Sequence, residues 1–436
     1  MRAFDKGGRV GGRQQHIYAH LCAIFKEYRP QQNPMLYGNK NISFFDDITY
    51  TLHPASIPVI RKAGKNLQLQ AGQAHGVCDG DWFDLRAISD AESNSESSRA
   101  PVVAKITGAG ALTSNLELPD EIDVSKGPGW TAVALIHLSI RRFLVRLEIP
   151  PPDRNAWEMV VKERRSLKVQ FVESAKPGTL FSFYLTVVGK DRYMIRDESG
   201  QEMLALPTPA YDLDPDLVLD IVEHLAKFKM VKELANGSPS TSFEEQFSVR
   251  LIKTSGEEFK LGCHHLDCLV EVQDGDCVYV VVQNEEARQT AGQSIYCHLY
   301  SMGSRWEIEN LLDADHVEIP PRFSNKSVDF VAGTNGEWKE RIKMTVPQGQ
   351  HQCDNIFKLF LTRQSTSFTS LELPELGRWV KSRGIGRGCR AEADIGRCYN
   401  NGVVLRARGP RGSKKDSARS SDWVALNFRI GKKVLE

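Results

Sequence analysis

Apolar residues recur along the chain at two spacings. Near the start, Ile17, Leu21, Ile24 and Phe25 fall at i, i+4, i+7 and i+8, which predicts one helical face from about Arg13 to Tyr28. Arg29-Pro30 ends it, because the proline ring disfavours helix at the preceding residue. The chain then runs extended to the apolar Ile42–Phe45. After Phe45 the pattern changes to short extended runs separated by Gly, Asp, Asn and Ser, the signature of β modules. Strands are predicted at Ile57–Ile60, Leu67–Gln70, Trp82–Ala87 and Val102–Ile106, with a Ser-rich loop at Ala91–Ala100. They resume at Thr131–Ser139, Phe143–Ile149, Leu167–Val172, Leu180–Val188 and Tyr193–Arg196. Pro150-Pro151-Pro152 breaks any strand and predicts a domain or sheet boundary.

A second helix starts at Asp214-Pro215, a cap residue followed by proline at the first helical position, and runs to Asn236-Gly237. It bridges two β units. Beyond it, Phe247–Ile252, Leu269–Val272, Val278–Val282 and Ile295–Tyr300, with a Gly275-Asp276 turn, predict a β-sandwich. Asp422–Ile430 has strand character and can return to the last sheet. Between Leu69 and Trp82, the stretch Ala71–Asp81 packs three glycines and two aspartates. Positive backbone angles need Gly and local caps need Asp, so a tight hairpin is expected there.

Length adds that the chain is multidomain. Its 436 residues exceed one ordinary core and suggest about two to four units. With 41% hydrophobic and 25% charged residues, the chain fits neither wholesale disorder nor a collagen-like or membrane class. The formal charge is +1, but from Arg378 onward Lys and Arg outnumber Asp and Glu by about three to one. The most apolar stretch, Ala132–Ile149, is interrupted by Arg141, Arg142 and Arg146. Nine scattered cysteines suit free thiols of a reducing compartment more than a disulfide framework. A cytosolic or nuclear protein is therefore expected.

Several stretches resemble one family. Arg13-Gln14-Gln15-His16-Ile17-Tyr18, leading to Gln32–Asn39 and Phe44-Phe45, resembles the end of the small-subunit region in fungal caspase-like (metacaspase-type) cysteine peptidases. The Gly72–Asp81 element is similar to one that follows the peptidase core in those proteins and opens a β domain. Gln273–Asp276, Tyr279–Asn284, Ile295-Tyr296 and Trp306–Ile308 look like their appended β-sandwiches. Val346–Gln350, Asp354–Thr362 and Ser367–Pro374 resemble their tails. The resemblance implies an upstream α/β core with a His/Cys dyad, and no Asp-x-Cys-His-Ser-Gly-like element occurs here. No dyad position carries over, and no catalytic, cofactor-binding or metal residue is assigned.

His75 and Cys78 could be a base and a thiol nucleophile, but no orienting acid or oxyanion donor is identifiable, so structural turn residues are preferred. Cys263-His264-His265-Leu266-Asp267-Cys268 offers zinc-type ligands without a second knuckle; buried strand cysteines are the better reading. The Gly- and Arg-rich segment Gly384–Gly412, with Cys389 and Cys398, reads as disordered. Its charge could attract phosphates, but only Tyr399 is available to stack on bases, which disfavours nucleic acid. Trp130, Trp157, Trp306, Trp338, Trp379 and Trp423, one per segment, suit core anchors.

The reading is a mainly β chain with some α: the end of a caspase-type domain at 1–48, a first β module at 49–150, a second ending in a linker helix at 151–236, and a β-sandwich-like module at 237–436 with a basic insertion near 384–420. The expected function is a non-catalytic, regulatory or partner-binding tail of a caspase-like endopeptidase. A protein or peptide is the expected partner, with neither cofactor nor membrane. The alternatives are a nucleic-acid module acting through the basic tail and a self-standing hydrolase with an unrecognised Cys/His pair.

Overall fold

The computed structural model describes residues 56–62, 67–87, 102–118, 130–176, 178–188, 192–204, 206–207, 214–261, 269–286, 293–312, 314–322, 336–347, 350–376 and 422–434, with Leu21 and Phe25 besides. The predicted helix at Arg13–Tyr28, apart from those two helical residues, lies outside this set. So do Ala91–Ala100, Cys263–Cys268, Gly384–Gly412 and Trp379. The fold is mainly β with some α.

The first six strands are β1 (Ile57–Arg61), β2 (Leu67–Leu69), β3 (Trp82–Ala87), β4 (Val102–Ala109), β5 (Ser114–Glu117) and β6 (Trp130–Ile136). They close an antiparallel barrel in the order β1-β2-β5-β4-β3-β6, and β1 and β6 complete the ring through Ile57↔Ala132 and its neighbours. Alternate side chains fill it: Ile57 and Val59, Leu67 and Leu69, Phe83 and Leu85, Ala104 and Ile106. That is the two-residue period of a strand with one buried face. The expected hairpin at 71–81 is overturned, because β2 pairs with β1 and β5 while β3 pairs with β4 and β6. The segment is instead a crossing connection bonded to the β4–β5 turn, with Gln73 N–H on the Gly110 carbonyl at 2.8 Å and Ala74 N–H on Ala111 at 2.9 Å.

A second unit follows with β7 (Leu144–Glu148), helix α1 (Arg154–Glu163), β8 (Lys168–Phe171), β9 (Phe183–Val188) and β10 (Arg192–Asp197). The sheet order is β10-β9-β7-β8, and β7 runs parallel to both β8 and β9. Parallel neighbours need a crossover, and α1 supplies it. The break expected at Pro150–Pro152 therefore falls inside this unit, since β7 belongs with the strands after the prolines. Pro151–Asp153 forms a 3-10 turn leading into α1, a place where proline starts a helix as readily as it ends a strand.

Helix α2 (Pro215–Glu233) is the hub. Its start is the predicted one: the Asp214 carboxylate accepts from Asp216 N–H at 3.0 Å, with Pro215 at the first position. Val218, Leu219, Ile221, Val222, Leu225, Ala226, Phe228, Met230 and Val231 are all buried, more than the single stripe of a surface helix. Both sides are covered because α2 lies between the second sheet and the final sandwich, and one cluster joins Val145, Leu185 and Ile195 with Tyr300, Phe360 and Trp423. Arg164 at the end of α1 ties the crossover to α2 through Asp216 and Asp220.

The last unit contains β11 (Phe247–Lys253), β12 (Glu258–Leu261), β13 (Leu269–Gln273), β14 (Cys277–Asn284), β15 (Ile295–Met302), β16 (Ile308–Asn310), β17 (Val317–Ile319), β18 (Glu337–Lys343), β19 (Gln352–Thr362) and β20 (Trp423–Lys433). Sheets β12-β11-β14-β18 and β13-β20-β19-β15-β16, the latter with β17 on β15, share one apolar core. This is the expected sandwich. β20 returns to the sheet as its sequence suggested, pairing antiparallel with β19 and parallel with β13. The six-stranded sheet is buried on both faces along β15. Cys297 and Leu299 of β15 face the sandwich core, whereas Tyr300 and Met302 join the α2 cluster.

Trp157 and Trp423 are buried anchors, as expected, while Trp130, Trp306 and Trp338 are half-buried. Trp306 has φ 68°, a left-handed conformation that costs a bulky side chain about 1–3 kcal/mol. Three contacts hold it there: its carbonyl meets His224 Nε2 at 2.7 Å, its indole N–H donates to the Leu204 carbonyl at 2.9 Å, and its ring lies edge-on to Phe228. No helix among the described residues is long and apolar enough to cross a membrane.

Candidate functional site at the barrel turn

The crossing connection between β2 and β3 touches every other unit of the molecule. Gln73–His75 forms a 3-10 turn, followed by Gly76 at φ 74° and Gly80 at φ 91°, both in the region glycine adopts without strain. Gly72 is required by space rather than angle, since a Cβ there would sit 2.3 Å from the Gly110 carbonyl oxygen. Gly76 makes room for Met230 of α2, whose sulfur also receives the Ser139 hydroxyl at 3.2 Å.

His75 and Cys78 do not converge. His75 turns outward from the barrel to the sandwich: Nδ1 accepts from Gly72 N–H at 3.1 Å, Nε2 lies 3.1 Å from the Ser367 carbonyl, and the ring stacks on Phe368 with centroids 4.4 Å apart. Cys78 turns the other way, donating its thiol to Asp81 Oδ1 at 3.3 Å. Burial, and then the Asp81 carboxylate, push that thiol up to about 12. A nucleophilic cysteine needs a cation or an imidazole at this place; a carboxylate does the opposite.

Asp81 is the carboxylate that organises the turn, and it is fully buried. Oδ2 accepts from Cys78 N–H at 3.0 Å, and Oδ1 accepts from Leu138 N–H at 2.7 Å, joining the barrel to the start of the second unit. His137 Nδ1 stands 3.8 Å away. Burial raises Asp81, but His137 and the two backbone donors outweigh it and leave the group below its ordinary value. Cys78, Asp81 and His137 thus stand together, with burial first and then the carboxylate keeping the thiol protonated.

On the sandwich side the turn meets a buried aromatic and imidazole cluster. Phe368 stacks between His75 and Phe360 and receives the edge of His298 at 4.7 Å. His298 and His316 have centroids 5.5 Å apart, and His298 Nδ1 meets the Asp315 carbonyl at 2.9 Å. Among the described residues no group of three or more His, Cys, Asp or Glu side chains has metal-binding geometry. The four described cysteines, Cys78, Cys277, Cys297 and Cys353, are free thiols.

The sequence signalled the turn but not its partners. His298 and Lys358 were hidden because β15 and β19 read as core strands, and only a strand buried on both faces turns such residues inward. Lys358 is buried, and its amine donates to the carbonyls of Lys232 and Leu234 at the end of α2 at 3.2 and 2.5 Å. Burial lowers the amine from its ordinary 10.5 to about 7. Between those two values the unfolded chain holds a proton that the folded chain does not, so stability rises with pH there, and that increment is lost as pH falls from 10.5 to about 7. Lys358 is expected to contribute a gain of up to about 1.4 kcal/mol per pH unit to denaturation between pH 7 and 9.5, so that the slope is smaller by that amount in Lys358→Met, where the buried Lys432, lowered in the same direction, still acts. A gain of the same size in the variant would assign it to other groups.

Comparison of the sequence with protein-family models and with curated proteins gives no match.

Proposed function

We propose that this chain is the non-catalytic, β-rich region of a caspase-like cysteine peptidase, serving to hold a protein or peptide partner rather than to cleave one. The observation that carries the reading is the environment of Cys78, whose thiol faces the Asp81 carboxylate while His75 faces the sandwich. The stretches that carry the resemblance support it too. The Gly72–Asp81 turn, the strand beginning Ile295-Tyr296 and the Ser367–Pro374 loop meet at one buried joint, as parts of a shared scaffold would. Among the sheet edges of the described residues, β18 carries Glu337, Lys339, Glu340, Arg341 and Lys343, charges that discourage strand addition. β13, with Leu269 exposed, is the edge better suited to an extended peptide.

Two measurements test this reading. Sequencing of the natural transcript upstream of Met1 is expected to give an in-frame extension encoding a strand-end His and an Asp-x-Cys-type motif; a transcript without them would break the link to the peptidases. The chain itself is expected to leave fluorogenic peptides with Arg, Lys or Asp before the scissile bond uncut. Turnover abolished by Cys78→Ala would overturn the non-catalytic assignment.

A further inference from the structure

Three imidazoles meet where the barrel turn touches the sandwich. His75 enters from the turn, His298 from the outer face of β15 and His316 from the segment before β17, with exposures of 2%, 0% and 3%. Phe368 sits between the first two. Hydrogen bonding fixes the protonation of each of those two rings. Nδ1 of His75 accepts from Gly72 N–H, so it carries no proton, and Nε2–H is left to donate to the Ser367 carbonyl. Nδ1 of His298 faces the Asp315 carbonyl and must be the N–H donor. Its Nε2 is then unprotonated, and it has no hydrogen-bond partner among the described residues.

Both rings are therefore neutral, and each has a nitrogen at which a proton is unwelcome. At His75 the new N–H would point at the Gly72 N–H and remove the bond that shapes the turn. At His298 it would be buried beside His316 and Phe368 with no acceptor among the described residues, a cost that drives the site open. We propose that this joint is an acid-released latch, in which proton uptake by His75 and His298 at mildly acidic pH frees the 72–77 turn of the barrel from the 366–371 loop of the sandwich.

The cluster has titratable neighbours of both signs. Facing the cluster are His316 and Asp315 from the segment before β17, Tyr296 and Tyr300 from β15, and Glu372 just after the 369–371 turn. Asp315 presents its backbone carbonyl to His298, and its carboxylate receives the Ser367 hydroxyl at 3.5 Å. Burial, then His316 and His75, hold His298 well below the usual 6.5 against the opposing Asp315 carbonyl. A depressed histidine contributes stability that is complete above 6.5 and declines as pH falls below it. On the α2 side, His224 is lowered by burial to about 4 and acts in the same direction. The carboxyls of Asp84 and Glu307 are raised by burial and act oppositely, while Asp81 is lowered and loses its contribution only at lower pH.

Hydrogen exchange of the full chain at pH 7.5 and 5.5, corrected for intrinsic amide rates, tests the latch. Protection over 72–77 and 366–371 is expected to fall at least about tenfold at the lower pH while the β19–β20 ladder keeps its protection. Unchanged protection at the joint, or an equal loss everywhere, overturns the proposal. The double variant His75→Asn/His298→Asn keeps an acceptor for Gly72 and a donor for Asp315 without a titrating ring, and it is expected to lose the pH effect. Persistence of the effect in that variant overturns the proposal as well. If the variant does not fold, the imidazole resonances of the wild-type chain decide: His75 and His298 must titrate together with the loss of protection, and titration without it refutes the latch.

Discussion

Asp81→Ala is expected to lower the unfolding free energy by about 3 kcal/mol, because it leaves two part-buried backbone donors unmatched at about 1–3 kcal/mol each. Those donors are Cys78 N–H and Leu138 N–H, one on each carboxylate oxygen. This geometry also determines the result for the isosteric change. Asp81→Asn has one carbonyl oxygen to offer, and its amide nitrogen must then face the second N–H. It is therefore expected to cost about 2 kcal/mol rather than to rescue the site. Chemical denaturation at pH 7 measures both. A second readout separates charge from shape: without the carboxylate, the Cys78 thiol moves down from about 12, although burial keeps it above an exposed cysteine. In Asp81→Asn at pH 8, Cys78 is expected to exchange with a disulfide reagent at least about tenfold faster than in the parent. Equal rates would mean that burial alone silences the thiol.

The same site divides what the sequence makes legible from what it does not. Gly72, Gly76, Gly80 and Asp81 mark a special turn by composition alone, and strand alternation on either side locates β1, β2 and β3 to within a residue or two. The turn's destination was not legible. Two strands separated by a short glycine-rich segment read as a hairpin, and only closure of the barrel through β5 and β4 makes that segment a crossing. The Pro150–Pro152 run misleads for a related reason: proline ends a strand and begins a helix with the same ring, and Trp157, Val160 and Val161 give α1 too short a stripe to decide between them. The capped start of α2 was legible in Asp214-Pro215 because a cap is a local feature. Its burial on both sides was not, since that depends on Tyr300, Phe360 and Trp423 arriving from the far side of the chain. His298 belongs to this second kind, because a histidine in an apolar strand shows its role only when the neighbour covering its face is known.

Phe368 is that neighbour, and its removal tests how the joint is held. The ring is fully buried, stacked at 4.3 Å on Phe360 and 4.4 Å on His75, with the His298 edge at 4.7 Å. Truncating a phenylalanine so enclosed costs about 3–5 kcal/mol, and the same figure applies to Phe243, equally buried but within the sandwich core alone. Urea denaturation is expected to place Phe368→Ala and Phe243→Ala at similar total losses. Their local effects must differ. Removing Phe368 takes away the surface on which His75 rests, so amide protection over 72–77 is expected to drop at pH 7.5 to the level that acid alone produces in the parent. Phe243→Ala leaves that contact intact and is expected to keep protection there while losing it along β11. If both variants loosened the 72–77 turn alike, the barrel and the sandwich would be coupled through the shared α2 core rather than through this ring. If neither did, Phe368 would be packing the sandwich without holding the turn to it.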